Sequence, residues 1–392
     1  MRKLLKTGLL IRVVIAIVSG LVLGNFAAEW IVKLFITFNS LFSGFLSFCI
    51  PLIVLGLVAP GIADMGKKAG RLLIITVILA YGFTIFSGFL SYFSSSAIFP
   101  SLISESDFSN LNVKNPEMDD VLPYFVLDIQ PVFSVMTAIL LAFITGAGIA
   151  FGKGGTIKSA MEEFRLIIEK VIASIIIPLL PVFIFGIFLN MSYSGAAFKI
   201  ISIFGKIILV IFVLHILLLI IMFCVAGGVA RKNPFKLLLQ MMPAYMTALG
   251  TSSSAATIPV TLNQVKKIGV NEDIADFCVP LCATIHLSGS TLKIVATSLA
   301  ICIMTGLPHD ILLYAGFILM LGIMMIAAPG VPGGAIMAAV AILQSILHFD
   351  ENAIGLMIAL YIAIDSFGTA CNVTGDGAIA TIVNKFNNRM NQ

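Results

Sequence analysis

Long apolar runs recur along this 392-residue chain, at 9–32, 72–99, 132–151, 167–189, 200–229, 274–305 and 312–328. Each is near the ~20 residues that carry a helix across a bilayer. With 59% hydrophobic and 11% charged residues and a mean hydropathy of +1.11, the chain has more apolar surface than a soluble globule can hide. Lipid is its solvent. Runs of that length and number predict an all-α, polytopic membrane protein and not an anchored one.

The basic start, Arg2, Lys3 and Lys6, ahead of an apolar run could mark a secretory signal. The run is long, carries Arg12 and has no convincing small-residue cleavage site, so it is read as the first membrane helix. Cys49, Cys224, Cys278, Cys282, Cys302 and Cys371 lie in or beside apolar runs with no C-x-x-C pair, which suggests neither a disulfide framework nor a zinc site. The net charge of +4 is explained by topology and calls for no nucleic-acid partner.

Basic clusters at 2–6, 67–71, 153–170, 231–236, 266–267 and 385–389 alternate with an acidic, polar stretch at 105–120. The positive-inside rule then puts both termini in the cytoplasm and the acidic stretch outside. Two basic clusters, at Lys236 and at Lys266 and Lys267, flank only about thirty residues, so that segment leaves the cytoplasm and returns without crossing. Its tip, Gly250 to Ala256, holds a serine run that is tolerable at membrane depth only where it lines a polar cavity. A second segment, 311–346, is interrupted by APGVPGGA at 328–335 and starts and ends outside. Two interrupted segments of opposed orientation point to an inverted-repeat transporter with its site near the midplane.

The stretch YIAIDSFGTACNVTGDG at 361–377 places Asp365, Thr369, Asn372 and Asp376 at spacings of four, three and four. On a helix these side chains form one stripe. An aspartate at the centre of a membrane helix costs roughly 2.5–3.5 kcal/mol, so each needs a companion: a cation, an ammonium group or a proton.

The motifs TSSSAATIPVT (251–261), DFCVPLCATIHLSGSTL (276–292), GVPGGAIM (330–337) and DSFGTACNVTGD (365–376) resemble those of the dicarboxylate/amino acid:cation symporters, the glutamate transporter homologues, in order and with acceptable spacing over the whole chain. The resemblance implies eight transmembrane helices plus two re-entrant helical hairpins, built as inverted repeats into a homotrimeric elevator-type transporter. It assigns 1–66 and 99–195 to a scaffold (helices one and two, then four and five), and 67–98 and 196–392 to a transport domain (helix three, then helix six to helix eight with both hairpins). It also implies an amino acid as cargo and sodium or protons as coupling ions, with no organic cofactor.

Carried over residue by residue, Asp365 stands where the family binds the substrate ammonium, and Thr369 and Asn372 match residues beside the substrate and its carboxylate. Ser253 and Ser254 and the backbone of Val331, Gly333 and Ala335 match the two hairpin gates, and Ser290 matches a pocket threonine. Asp376 and Asn372 match sodium ligands, with backbone carbonyls near Cys282; Thr284 and Ile326 match the backbone of another sodium site. Departures are equally informative. Gly368 replaces the arginine whose planar fork grips an acidic side chain, and Ser252 occupies the alternative arginine position. A neutral amino acid such as serine, threonine or alanine is therefore expected; the alternatives are cystine, for which glycine leaves room, and an acidic amino acid or dicarboxylate. Tyr81 and Thr84 fit a third sodium site, but Ile85 replaces its serine, and His286 and Ser288 replace the asparagine and aspartate of the seventh helix. Hard cations want oxygen ligands, by analogy with calcium and magnesium, so this site looks broken. Lys293, two turns after His286 on the same face, suggests that its ammonium, or a proton on His286, replaces sodium as counter-charge to Asp365 or Asp376. On that expectation Lys293→Met alters the pH dependence of transport or makes it newly sodium-sensitive.

Each signal has a blander account. His286 can be a hydrogen-bonded packing residue, Lys293 can snorkel to an interface, Asp128 an interfacial charge, and Glu162 and Glu163 beside Arg165 a solvated cytoplasmic turn. Other function classes are weaker. An aspartyl protease needs two facing aspartates, whereas Asp365 and Asp376 share one helix about 16 Å apart along its axis. A serine hydrolase needs a nucleophile facing a base, and Ser288 and His286 are two apart on an expected helix. A gated channel could use the same polar stripes. Short loops suit a bacterial inner membrane.

Overall fold

The computed structural model describes residues 9–67, 71–103, 121–127, 129–152, 155–193, 197–326, 328 and 333–390. Asp128 and Val331 lie outside the described residues, as does most of the second hairpin tip. Among the described residues all regular structure is helical: α1 (Leu9–Gly24), α2 (Glu29–Lys67), α3 (Arg71–Leu102), α4 (Val135–Phe151), α5 (Thr156–Val171), α6 (Ile177–Tyr193), α7 (Ala197–Ala230), α8 (Pro234–Thr251), α9 (Ser254–Lys267), α10 (Glu272–Ile285), α11 (Ser288–Thr305), α12 (Ile311–Ile326), α13 (Gly334–Ser345), α14 (Glu351–Ala363) and α15 (Asp365–Met390). Five stretches of these residues (29–60, 72–102, 156–190, 202–230 and 272–305) are helical, long and apolar enough to cross a membrane, and α14 with α15 makes a sixth if that pair, bent by 61°, is one span.

Several apolar runs divide differently from their hydropathy. The run 9–32 breaks between α1 and α2, where a turn from Leu23 to Phe26 ends α1. The helix α2 is the second helix that the resemblance places within 1–66, although it is not among the apolar runs singled out by hydropathy, where Asn39, Ser40, Ser43 and Gly44 interrupt it. Between α5 and α6 the backbone takes a π turn at Ile172–Ile176, directly before Pro178 and Pro181, whose missing N–H groups disturb the regular ladder. Glu162, Glu163 and Arg165 lie within α5, not in a turn. Charge pairs at i,i+4, Lys158 with Glu162 at 3.2 Å and Arg165 with Glu169 at 3.8 Å, are what a helix, and not a loop, brings together.

The first hairpin returns to the side from which it starts. Asn233 caps α8 through Lys236 N–H, with Pro234 at its first position, which fixes the entry. At the far end Lys232 Nζ donates to the Ile268 carbonyl just past α9, at 2.7 Å. That bond ties both feet of the hairpin together. At its tip Ser252 takes a left-handed backbone (φ 50°) and Ser253 caps α9 by accepting from Ala256 N–H, so the serine run reverses the chain and starts the second arm.

The helix α1 packs on α6, and α2 on α4, α5 and α6. The helix α3 packs on α11, which also meets α7, α14 and α15, while α8, α9 and α10 close on α15. Every residue from Ser288 to Met304 in α11 is buried, whereas α1 and α7 turn Ile15, Val22, Leu209 and Val213 outward. Where α1 crosses α6, Gly20 and Gly24 let the backbones touch: a Cβ at Gly24 would lie 2.5 Å from the Leu189 carbonyl. This is small-residue packing. Gly24→Leu is expected to cost about 1–3 kcal/mol through overpacking, seen as a lower melting temperature in detergent; an unchanged melting temperature would count against this contact.

Candidate functional site

Two chain breaks build the site. The bend between α14 and α15 falls at Ile364 (φ −119°, ψ 19°), so Asp365 opens α15 instead of sitting inside an unbroken helix. There its carboxylate faces the positive end of the helix dipole. The second break separates α10 from α11 at His286 and Leu287, whose backbones are non-helical. Ser87 Oγ on α3 donates to the Ser288 carbonyl at 2.8 Å, Ser91 Oγ to the Leu292 carbonyl at 2.7 Å, and His215 Nε2 on α7 to the Gly289 carbonyl at 2.9 Å. These donors fix the start of α11.

A buried cluster forms between α11, α15 and the second hairpin. Lys293 Nζ donates to Asp365 Oδ1 at 2.7 Å and reaches the Asp365 carbonyl at 3.4 Å. The ammonium also lies 3.5 Å from the centre of the Tyr361 ring, a cation–π contact. Gly333 N–H donates to Asp365 Oδ2 at 2.9 Å, which ties the inner end of the second hairpin to α15. Lys293 is 0% exposed, which overturns the snorkelling alternative. Gly368 makes the room: a Cβ there would lie 2.8 Å from both Cε and Nζ of Lys293. Asn372 Oδ1 accepts from the Gly289 and Ser290 N–H groups at 2.8 and 3.3 Å, while its Nδ2 donates to Ser290 Oγ at 3.1 Å, and Tyr361 Oη donates to the same oxygen at 3.2 Å. Thr369 Oγ1 donates to the Asp365 carbonyl at 3.1 Å.

The second cluster lies further along α15. His286 Nδ1 donates to Asp376 Oδ1 at 2.9 Å, and Ser288 Oγ stands 2.8 Å from His286 Nε2. With its proton on Nδ1, the neutral ring accepts the serine O–H at Nε2. Ser288 and His286 therefore do face each other, contrary to the expectation from helical spacing, because the backbone at 286–287 is not helical. The geometric objection to a serine hydrolase fails with that helix. Gly375 admits the imidazole, since a Cβ there would lie 2.7 Å from His286 Cε1.

Other expected site residues have other partners. Tyr81 Oη donates to the Leu319 carbonyl at 3.3 Å, Thr84 Oγ1 to the Ala80 carbonyl at 2.8 Å and Thr284 Oγ1 to the Leu281 carbonyl at 2.7 Å. The Cys282 carbonyl accepts the His286 N–H at 2.8 Å. Ser254 and Ala335 are buried near the hairpin tips, and Ile326 ends α12. Sequence reasoning did not single out Tyr361, His215, Ser87 and Ser91. A lone histidine in the apolar α7 and the i,i+4 serines of α3 were visible signals.

The family model described as the sodium:dicarboxylate symporter family matches residues 9–386. The chain belongs to that family. A serine/threonine transporter of Streptococcus suis is 29% identical over 349 residues, covering 85% of this chain and 93% of the relative. The protein is thus a multi-pass membrane symporter and not an enzyme. In a symporter, the Ser288–His286–Asp376 contacts form a buried hydrogen-bond chain through which α10, α11 and α15 meet.

Proposed function

We propose that this symporter imports a neutral amino acid, such as serine, threonine or alanine, across the cell membrane, driven by sodium and/or proton gradients. The observation that carries the reading is Asp365, a buried carboxylate at the start of α15, between Lys293 and the second hairpin. An anion so placed needs a companion, and an ammonium group is one that a carboxylate in lipid takes. Gly368 in place of an arginine removes the planar clamp for an acidic side chain, and the serine/threonine transporter relative supports the same cargo. Ser253, Ser254, Ser290, Val331, Gly333, Ala335, Thr369 and Asn372 complete the substrate site in this reading. Asp376, Asn372, Cys282, Thr284 and Ile326 supply the cation sites, with His286 or Lys293 as the counter-charge that replaces one sodium. Tyr81, Thr84 and Ser288 remain from the third sodium site.

The mechanism in this reading is an elevator. Residues 67–98 and 196–392 slide against a scaffold of 1–66 and 99–195 in each protomer of a homotrimer with cytoplasmic termini. Proteoliposome uptake of labelled serine, driven separately by a sodium gradient, a proton gradient and neither, tests the function: gradient-driven accumulation is expected, and equilibration alone would point to a channel. A second reading has one observation in its favour, the Lys293 ammonium beside Gly368, which could meet an acidic side chain. Under it aspartate displaces labelled serine better than alanine does; under the first, alanine wins.

A further inference from the structure

Both carboxylate oxygens of Asp365 are already engaged by the protein. Lys293 holds Oδ1, Gly333 N–H holds Oδ2, and the face of Tyr361 covers the ammonium. A primary ammonium on a carboxylate and against an aromatic face is chemically what the amino group of a bound amino acid would be. Resting on the reading of function above, we propose that Lys293 is a tethered stand-in for the substrate ammonium. Substrate displaces it from Asp365 on binding, and it returns when substrate leaves.

Charge is conserved in this exchange. A zwitterion brings one ammonium for Asp365 and one carboxylate for the displaced Lys293, so the site stays neutral with or without cargo. That balance favours a neutral amino acid over an acidic one. The displaced ammonium keeps the Tyr361 face and the Asp365 carbonyl within reach, at 3.5 Å from the ring centre and 3.4 Å from the oxygen before displacement. Without Lys293, a carrier free of substrate would hold a lone buried carboxylate, which is strongly unfavourable in lipid. With it, Asp365 stays paired and can keep its bond to Gly333, so that the carrier returns across the membrane without cargo.

The test separates net uptake, which needs that return, from homoexchange, which does not. In proteoliposomes Lys293→Ala is expected to lower net uptake of labelled serine at least about tenfold more than it lowers exchange against internal serine. Propylammonium, a free amine of similar reach, restores net uptake in the variant. As a readout independent of transport, propylammonium raises the melting temperature of purified Lys293→Ala and not that of the wild type. Parallel loss of both modes with no amine-dependent stabilisation, or net uptake that survives the substitution, overturns the proposal. Failure of the wild type to carry any amino acid in either mode would remove the reading of function, and the inference with it.

Discussion

Asp365→Ala is expected to abolish uptake and to lower stability by about 3–5 kcal/mol, the usual cost of leaving one member of a buried ion pair alone. The stranded group is Lys293, 0% exposed and bonded to Asp365 Oδ1 at 2.7 Å. The same change releases the Gly333 N–H of the second hairpin. Adding Lys293→Met removes the stranded charge, so the double variant recovers most of the stability and none of the uptake. Under the proposed function the two losses have separate origins, that of stability in an unpaired charge and that of uptake in a missing ligand for the cargo. Thermal unfolding in detergent alongside vesicle uptake measures both, and a double variant no more stable than Asp365→Ala would refute the pairing as the source of the cost.

His286→Leu is expected to have a comparable effect, about 3–5 kcal/mol, by leaving Asp376 buried with its Oδ1 unpartnered. His286→Asn separates structure from coupling. An amide can still donate to Asp376, so the fold should hold, but it cannot carry a proton. Uptake by this variant should follow a sodium gradient and ignore a proton gradient. Driving forces indistinguishable from those of the wild type would exclude His286 as the proton carrier.

The polar groups of this site were legible in the sequence, and their partners were only half so. Spacing placed Asp365, Thr369, Asn372 and Asp376 on one stripe, and the residues of α15 from 365 to 376 are helical as that spacing requires. Spacing from His286 also put Lys293 two turns on along one helical face, a step that the break at 286–287 undoes, since His286 stands outside α11. What it could not supply was the pairing, because which carboxylate receives the ammonium depends on how α11 lies on α15. That crossing is set by Gly289 and Gly368, since a Cβ at Gly289 would lie 2.6 Å from the Gly368 carbonyl. The breaks at His286 and Ile364 were hidden for a different reason. Neither has proline or glycine at the break itself to mark it. At 286 the α11 carbonyls are taken by donors from α3 and α7 that are distant in sequence. Applying the i,i+2 rule there assumed a helix that tertiary contacts undo. The hairpin feet were better marked, because Lys236 and Lys267 carry the topological signal in their charge.

The complete burial of α11 has a mechanical meaning. A rod wrapped on every side by its own protein has no face left for lipid or for a sliding seam, and Ser87 and Ser91 pin its carbonyls to α3. It can neither roll nor shift alone, so any displacement of the Lys293 ammonium along with its helix must take α3 and α15 as passengers.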